Sequence, residues 1–258
     1  MYTKIIDFSQ YSSIKIGQPT KVLMIEKDDL IPSNHYLIGG ANNLLISSNP
    51  PPLMMLSKDF SYIKESNGLL EIGAAMATGR IVSYCKNKDI GGFEFCSKLP
   101  GTLGGMLAMN AGVKDYEVFN ILHSIKIDGK WIEKTKIEYG YRFAKLKGVA
   151  TAARFEIKQK FNKILLNKLL VLRNNQPRDP SAGSVFKNPP QDYAGRLIEA
   201  VGLKGYRQGG MAWSSVHANF LINTGKGTYK DAILLLELAK ERVLKDFNIT
   251  LQEEIKLL

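Results

Sequence analysis

Short apolar runs separated by turn residues mark the start of the chain. Val22-Leu23-Met24-Ile25, Tyr36-Leu37-Ile38, Leu44-Leu45-Ile46 and Leu53-Met54-Met55-Leu56 alternate with Gly39-Gly40, Asn42-Asn43 and Pro50-Pro51-Pro52. Runs this short, bounded by glycine, asparagine and proline, fit strands; a helix needs a longer periodic stretch. Residues 14 to about 57 therefore predict a small domain of short strands, with one helix near 27–31. Beyond residue 60 the pattern changes. Leu69-Leu70-Glu71-Ile72-Gly73 predicts a strand, 78–88 an amphipathic helix, and 122–127 and 150–157 further strands, an α+β mixture.

Residues 161–174 carry apolar positions at Ile164, Leu165, Leu169 and Leu172, which predicts a helix ending before Pro177. A third unit follows, with a helix over 194–201 that stops at Gly202 and a long helix over Tyr229–Phe247. In the latter, Ile233, Leu236, Ala239 and Val243 form the expected core stripe, while Lys240, Glu241, Arg242 and Lys245 lie mostly on the solvated side. The boundaries expected from this reading are 1–58, 59–174, 175–247 and a C-terminal segment 248–258. There is no internal repeat and no low-complexity segment.

One stretch fits neither period. Residues 92–112, GFEFCSKLPGTLGGMLAMNAG, place five glycines and one proline among apolar residues. Pro100 fixes one φ angle, Gly101, Gly104 and Gly105 admit positive φ, and side-chain-free amides there can converge on a phosphate. Asn110-Ala111-Gly112 then forms a second turn, and Ala108 and Ala111 leave room for a flat ring system. A diphosphate-bearing cofactor suits such a cradle, although an isolated loop of this kind is more often a tight turn in a β domain. The loop over 37–46 supplies a second backbone-exposing turn between apolar runs. Neither loop matches G-x-G-x-x-G followed by a helix and an acidic residue, so a Rossmann domain is not indicated.

Composition narrows the classes. The chain has 258 residues, 45% hydrophobic and 23% charged, with a net charge of +11. Its lysines are scattered and no recognition motif or aromatic-basic stripe is present, so nucleic acid is not an expected partner. Anionic ligands drawn into one cleft account for the excess equally well. The opening MYTKIIDFSQYSS lacks the apolar core of a signal peptide, and no run approaches the roughly 20 apolar residues of a membrane span. A cytoplasmic location without membrane insertion is expected. Cys85 and Cys96 match neither a redox pair nor a zinc site and are expected as buried thiols. His35, His123 and His217 are too dispersed for a local metal motif, and no metal is expected.

The two loops resemble the flavin-binding segments of the UDP-N-acetylenolpyruvoylglucosamine reductase family, which run approximately GGGSNLL and GxEFxxGIPGTxGGAxxMNAG. Gly140-Tyr141-Arg142 is similar to that family's tyrosine-arginine pair. Residues 181–189, SAGSVFKNP, resemble its SAGSxFKNP signature, preceded by Arg173 and Gln176-Pro177. AGRLIE at 194–199, GLKG at 202–205 and HANFLIN at 217–223 resemble its third-domain core. The likeness runs from about residue 14 to 254, and SAGSVFKNP is its most specific element. It implies an α+β, two-subdomain FAD-binding fold of the PCMH/vanillyl-alcohol-oxidase type plus a C-terminal α+β substrate-binding domain. The missing tyrosine-bearing insertion points to the shorter, second type.

That resemblance implies a flavoenzyme with non-covalent FAD and NADPH that reduces UDP-N-acetylglucosamine enolpyruvate to UDP-N-acetylmuramate in peptidoglycan precursor synthesis; a monomer is expected, although the sequence does not reveal oligomeric state. Hydride addition to an enolpyruvyl ether generates an enediolate that needs a cation, a proton donor and an orienting group. The resemblance assigns Ser184 as proton donor, Arg142 as cation and Glu254 as the third catalytic group. A lone G-x-S is usually a turn serine, and Phe186 stands where a nucleophile elbow has glycine, so an esterase is not indicated. Glu253 replaces the family's usual proline beside Glu254. Strand alternation would send these carboxylates to opposite faces, and Ile255 and Leu257 favour Glu254 as the functional one.

Cofactor contacts are implied for Gly39, Gly40, Asn43, Pro100, Gly101, Thr102, Gly104, Gly105, Asn110, Ala111 and Gly112. Substrate contacts are implied for Tyr141, Lys187, Asn188, His217 and Asn219, though Asn219 could equally be a core-satisfied amide. Ala41-Asn42 depart from the family's glycine-serine, and Ala144 replaces the serine of its YRxSxF. Two other classes stay open: another FAD-linked oxidoreductase of the same flavin-binding fold, and a non-catalytic nucleotide-sugar-binding protein.

Overall fold

A computed structural model describes residues 1–172 and 174–258. Arg173, which contributes to the family resemblance, lies outside the described residues. The chain forms two compact units, one made of Met1–Lys4, Val22–Gly40 and Pro52–Asn174, the other of Ile5–Lys21, Ala41–Pro51 and Asn175–Leu258.

The first unit contains a five-stranded antiparallel sheet in the order Lys130–Glu133, Leu122–Ile127, Ala150–Glu156, Leu69–Gly73, Ile63–Ser66. Three of these strands match the hydrophobic runs that predict them. The helix Thr78–Asn87 buries Thr78, Ile81, Val82 and Cys85, an i, i+3, i+4, i+7 stripe, within the same core as Leu70, Ile72, Ile125 and Phe155. Phe93 meets Phe155 edge-on at 5.1 Å, and each such buried side chain contributes about 1.5–3 kcal/mol. The helix lacks a side-chain N-cap. Its first amide, that of Thr78, instead donates to the Gly101 carbonyl, and the Thr78 hydroxyl donates to the Leu99 carbonyl. The start of the helix is thereby fastened to the glycine-rich stretch.

A parallel arrangement, Val22↔Leu53 and Tyr36↔Leu53, joins the early apolar runs of this unit. The helix expected near 27–31 does not form; the chain turns there instead. Asp29 carboxylate oxygens accept from the Glu26 amide at 2.6 Å and from the N-terminal amine at 2.8 Å. Pro32 disfavours helical geometry at the residue before it, and five residues are too few to repay nucleation. The helix Lys163–Leu172 does form, but only Leu169 of the four apolar positions is fully buried, and Ile164 is exposed.

The second unit contains a four-stranded antiparallel sheet in the order Ser181–Ser184, Phe220–Asn223, Met211–Trp213, Arg207–Gln208. The helix Ala194–Ala200 ends before Gly202, which takes φ +73°. The helix Tyr229–Phe247 begins in a Thr228/Asp231 capping box and ends at Asn248 with φ +54°. Its buried stripe is Ala232, Leu235, Leu236, Ala239 and Val243. Ile233 is only part-buried against that core, so the buried face is rotated slightly from the one expected. Trp213 and Phe186 stack within the core, which also takes in Ile14 and Leu45. Asn223 secures the residue-14 segment: its Nδ2 donates to the Ile14 carbonyl at 3.1 Å and to the Lys15 carbonyl at 3.2 Å. The chain ends with Lys256–Leu257 paired in parallel to Leu44–Leu45. The fold is α+β.

Candidate active site

In the first unit, the segment after Pro100 makes one left-handed step at Gly101, φ +115°, and enters the helix Leu103–Ala108, N-capped by Thr102. Gly104 and Gly105 therefore do not use the positive φ open to them. Gly104 serves close packing, since a Cβ there would stand 3.2 Å from the Ala74 carbonyl oxygen, whereas one on Gly105 would meet only Thr102 Oγ1 at an ordinary 3.8 Å. The Leu103 and Gly104 amides donate to the Met76 and Ala74 carbonyls, which locks the segment to the stretch that follows the strand Leu69–Gly73. The Gly39 loop comes to the same place. A Cβ added to Gly39 would lie 2.7 Å from Thr102 Oγ1 and 3.8 Å from the Gly105 nitrogen. The two glycine loops singled out in the sequence thus approach each other so closely that position 39 has no room for a methyl group.

Asn110, φ +44° and fully buried, anchors the other end of the stretch. Its Oδ1 accepts from the Phe119 amide at 3.1 Å, while its Nδ2 donates to Glu117 Oε2 at 2.7 Å and to the Gly140 carbonyl at 3.0 Å. Gly112 allows close strand approach, since a Cβ would lie 2.2 Å from the Tyr116 carbonyl oxygen. Tyr141 and Arg142 form the two-residue turn between the strands Tyr139–Gly140 and Phe143–Ala144. The Arg142 guanidinium lies 4.9 Å from the centre of the exposed Tyr141 ring. It also donates through Nη2 to the Gly112 carbonyl at 3.3 Å and faces Glu117 at 3.8 Å. Arg142 is thus a largely buried cation at the edge of the cradle as well as an arginine stacked on Tyr141.

In the second unit, Ser184 does not sit in a turn, as its glycine neighbour suggests, but ends an edge strand. The register passes from Ser181↔Ile222 to Ser184↔Phe220, which leaves one extra residue on the serine strand. Gly183 absorbs it at φ +80°, and a bulge of this kind re-aims the side chain that follows. The buried Asn219 side chain holds the residue two positions on, accepting from the Phe186 amide at 3.0 Å and donating to the Phe186 carbonyl at 2.8 Å. Its amide is engaged in the core, the alternative open for it in the sequence.

The C-terminal segment runs against the other edge of this signature. The Glu254 amide donates to the Val185 carbonyl and the Lys187 amide to the Gln252 carbonyl, both at 2.8 Å. Asn43 Nδ2 donates to the Glu254 carbonyl at 2.9 Å, and the Lys256 amide donates to the Asn43 carbonyl. Glu254 is therefore brought to within a residue's pairing of Ser184. The Glu253 carboxylate pairs with Lys240 at 2.5 Å, which engages it on the long helix. Asn188 Oδ1 accepts from the Ala194 amide at the start of a helix. His217 Nδ1 accepts from the Asn219 amide at 3.2 Å, and burial pushes its pKa below the usual histidine value.

Sequence reasoning did not single out Glu117 or pair Lys240 with Glu253. Their roles come from partners seven to twenty-five residues away, which no local pattern marks. Cys85 and Cys96 are buried, with burial pushing Cys85 up to about 12 and Cys96 well above its usual value; neither is a reactive thiolate.

A profile described as the C-terminal domain of UDP-N-acetylenolpyruvoylglucosamine reductase matches residues 176–258. The chain is 47% identical over 262 residues to UDP-N-acetylenolpyruvoylglucosamine reductase of Helicobacter hepaticus, covering 100% of both chains. It is 44% identical to the Helicobacter pylori enzyme of the same name, covering 98% of each. Among solved structures it is similar to UDP-N-acetylenolpyruvylglucosamine reductase from Thermus caldophilus, with a TM-score of 0.85 and 26% identity, covering 100% of this chain and 99% of that one. A cradle, a bulge-borne serine and full-length identity at this level agree, and the chain belongs to the UDP-N-acetylenolpyruvoylglucosamine reductase family.

Proposed function

We propose that this chain reduces UDP-N-acetylglucosamine enolpyruvate to UDP-N-acetylmuramate with NADPH and non-covalent FAD, in cytoplasmic peptidoglycan precursor synthesis. The observation that carries the reading is the pairing of the SAGSVFKNP segment with residues 252–255, which supports a site that holds both Ser184 and Glu254. The approach of Gly39 to Thr102 supports a flavin diphosphate there, held by Gly39, Gly40 and Asn43 and by the segments 100–105 and 110–112. FAD, when bound, supplies hydride transfer between NADPH and the enolpyruvyl group.

The remaining work falls to side chains. Arg142, a permanent planar cation, holds the substrate carboxylate and the negative charge that builds on it. The Ser184 hydroxyl gives its proton to the carbon beside that carboxylate. Serine is a very weak acid, so it acts only because the enediolate is strongly basic. Glu254 orients the serine. Tyr141, Lys187, Asn188 and His217 recognise the nucleotide sugar, and Asn219 acts by fixing Phe186. On this reading 1–58 and 59–174 serve the flavin, 175–247 the substrate, and 248–258 returns Glu254 to the chemistry. NADPH oxidation by the purified protein, followed with and without the enolpyruvyl sugar, tests it. Strict dependence on the sugar is expected, and equal rates without it would contradict the reading.

A further inference from the structure

Glu117 takes no part in the chemistry above, yet it joins the segments that carry the first unit's candidate groups. Its backbone pairs with Gly112. Its Oε2 accepts from the buried Asn110 amide at 2.7 Å, and its Oε1 stands 3.8 Å from Arg142 Nη1. Asn110 also holds Gly140, two residues before Arg142, and Arg142 holds the Gly112 carbonyl, so the contacts close a ring. The Glu117 and Arg142 side chains are 20% and 17% exposed, where salt screens charge less than on open surface.

We propose that Glu117 is a positioning residue that fixes the direction of the Arg142 guanidinium before substrate arrives, and does so at the expense of substrate affinity. This rests on the reduction proposed above. An arginine at a hairpin tip has several rotatable bonds, and a carboxylate on one side of its fork removes much of that freedom in advance. The same carboxylate is a like charge to the substrate's own and weakens the attraction Arg142 offers. Removing the Glu117 charge should therefore move rate and affinity in opposite directions, whereas loss of a merely structural contact would weaken both.

Glu117→Gln separates the two, because its amide oxygen still accepts from Asn110 while the charge is gone. In the flavin-loaded enzyme, oxidation of the reduced form by saturating enolpyruvyl sugar should slow about five- to tenfold. UDP-N-acetylmuramate, titrated calorimetrically into the oxidised enzyme, should bind as tightly as to wild type or up to about threefold more tightly. In an Arg142→Ala background the substitution should add less than about twofold. Glu117→Asp, which keeps the charge, should recover most of the lost rate. It also serves as the folding control if Glu117→Gln loses flavin. An unchanged rate, product affinity that falls in step with rate, or equal impairment by Gln and Asp would overturn the proposal. If Arg142→Ala alone left the substrate step at wild-type speed, the role given to Arg142 would fail as well, a pattern distinct from those three.

Discussion

Arg142 occupies the left-handed region, φ +60°, at the second position of a two-residue hairpin turn, where glycine is the usual occupant. A bulky residue there costs roughly 1–2 kcal/mol, and such strain persists where function requires the side chain. Arg142→Gly and Arg142→Ala both remove the cation, but only glycine relieves the backbone. The glycine variant should be the more stable by about 1 kcal/mol in urea unfolding. Equal stabilities would remove the strain argument. His217 gives a second test at this scale. Its folded pKa lies below its unfolded one, so its contribution to stability is present above about pH 6.5 and is lost as pH falls through the folded value. Replacing it with Gln should flatten the stability profile below pH 6.5, and a profile as steep as wild type would assign the slope to other groups. As candidates, Ser184 and Arg142 stand out in the sequence because short motifs carry them. Glu117 does not, because its significance lies in Asn110 and Arg142, which lie elsewhere along the chain.

The elements were legible where packing and propensity agree. The helix Tyr229–Phe247 combines a capping box, a long apolar stripe and a left-handed stop at Asn248, and each signal can be read locally. The stretch at 27–31 offered only composition, and an aspartate bonding its own turn prevailed. The cradle was half legible: its glycines announced an unusual backbone, but which of them would be left-handed and which helical depended on the Ala74 and Met76 carbonyls opposite. The meeting of its two loops makes a prediction. Gly39→Ala places a methyl against Thr102 Oγ1, so the purified variant should lose most of its flavin absorbance. Adding Thr102→Ala, which removes that oxygen, should restore part of it. If the double variant bound no more flavin than the single one, steric contact between the loops would not be what keeps position 39 a glycine.

Across the whole molecule, the core of the second unit unites Ile14, Leu45, Trp213 and Ile255, positions so distant that periodicity in any one stretch cannot show that they meet. The family was more legible than the packing, because a local motif such as SAGSVFKNP carries the resemblance while the core does not. The protein should purify yellow, and acid denaturation should release intact FAD; flavin retained on the denatured chain would exclude the non-covalent mode. The central claim, that Ser184 supplies the proton in reduction of the enolpyruvyl group, is tested most directly by Ser184→Ala followed anaerobically in two halves. Bleaching of the flavin by NADPH needs no serine proton and should stay within about tenfold of wild type. Reoxidation by the enolpyruvyl sugar should slow by about 10²–10⁴, the range of a lost general acid. Equal slowing of both halves would make Ser184 a residue that positions the cofactor and would contradict the mechanism.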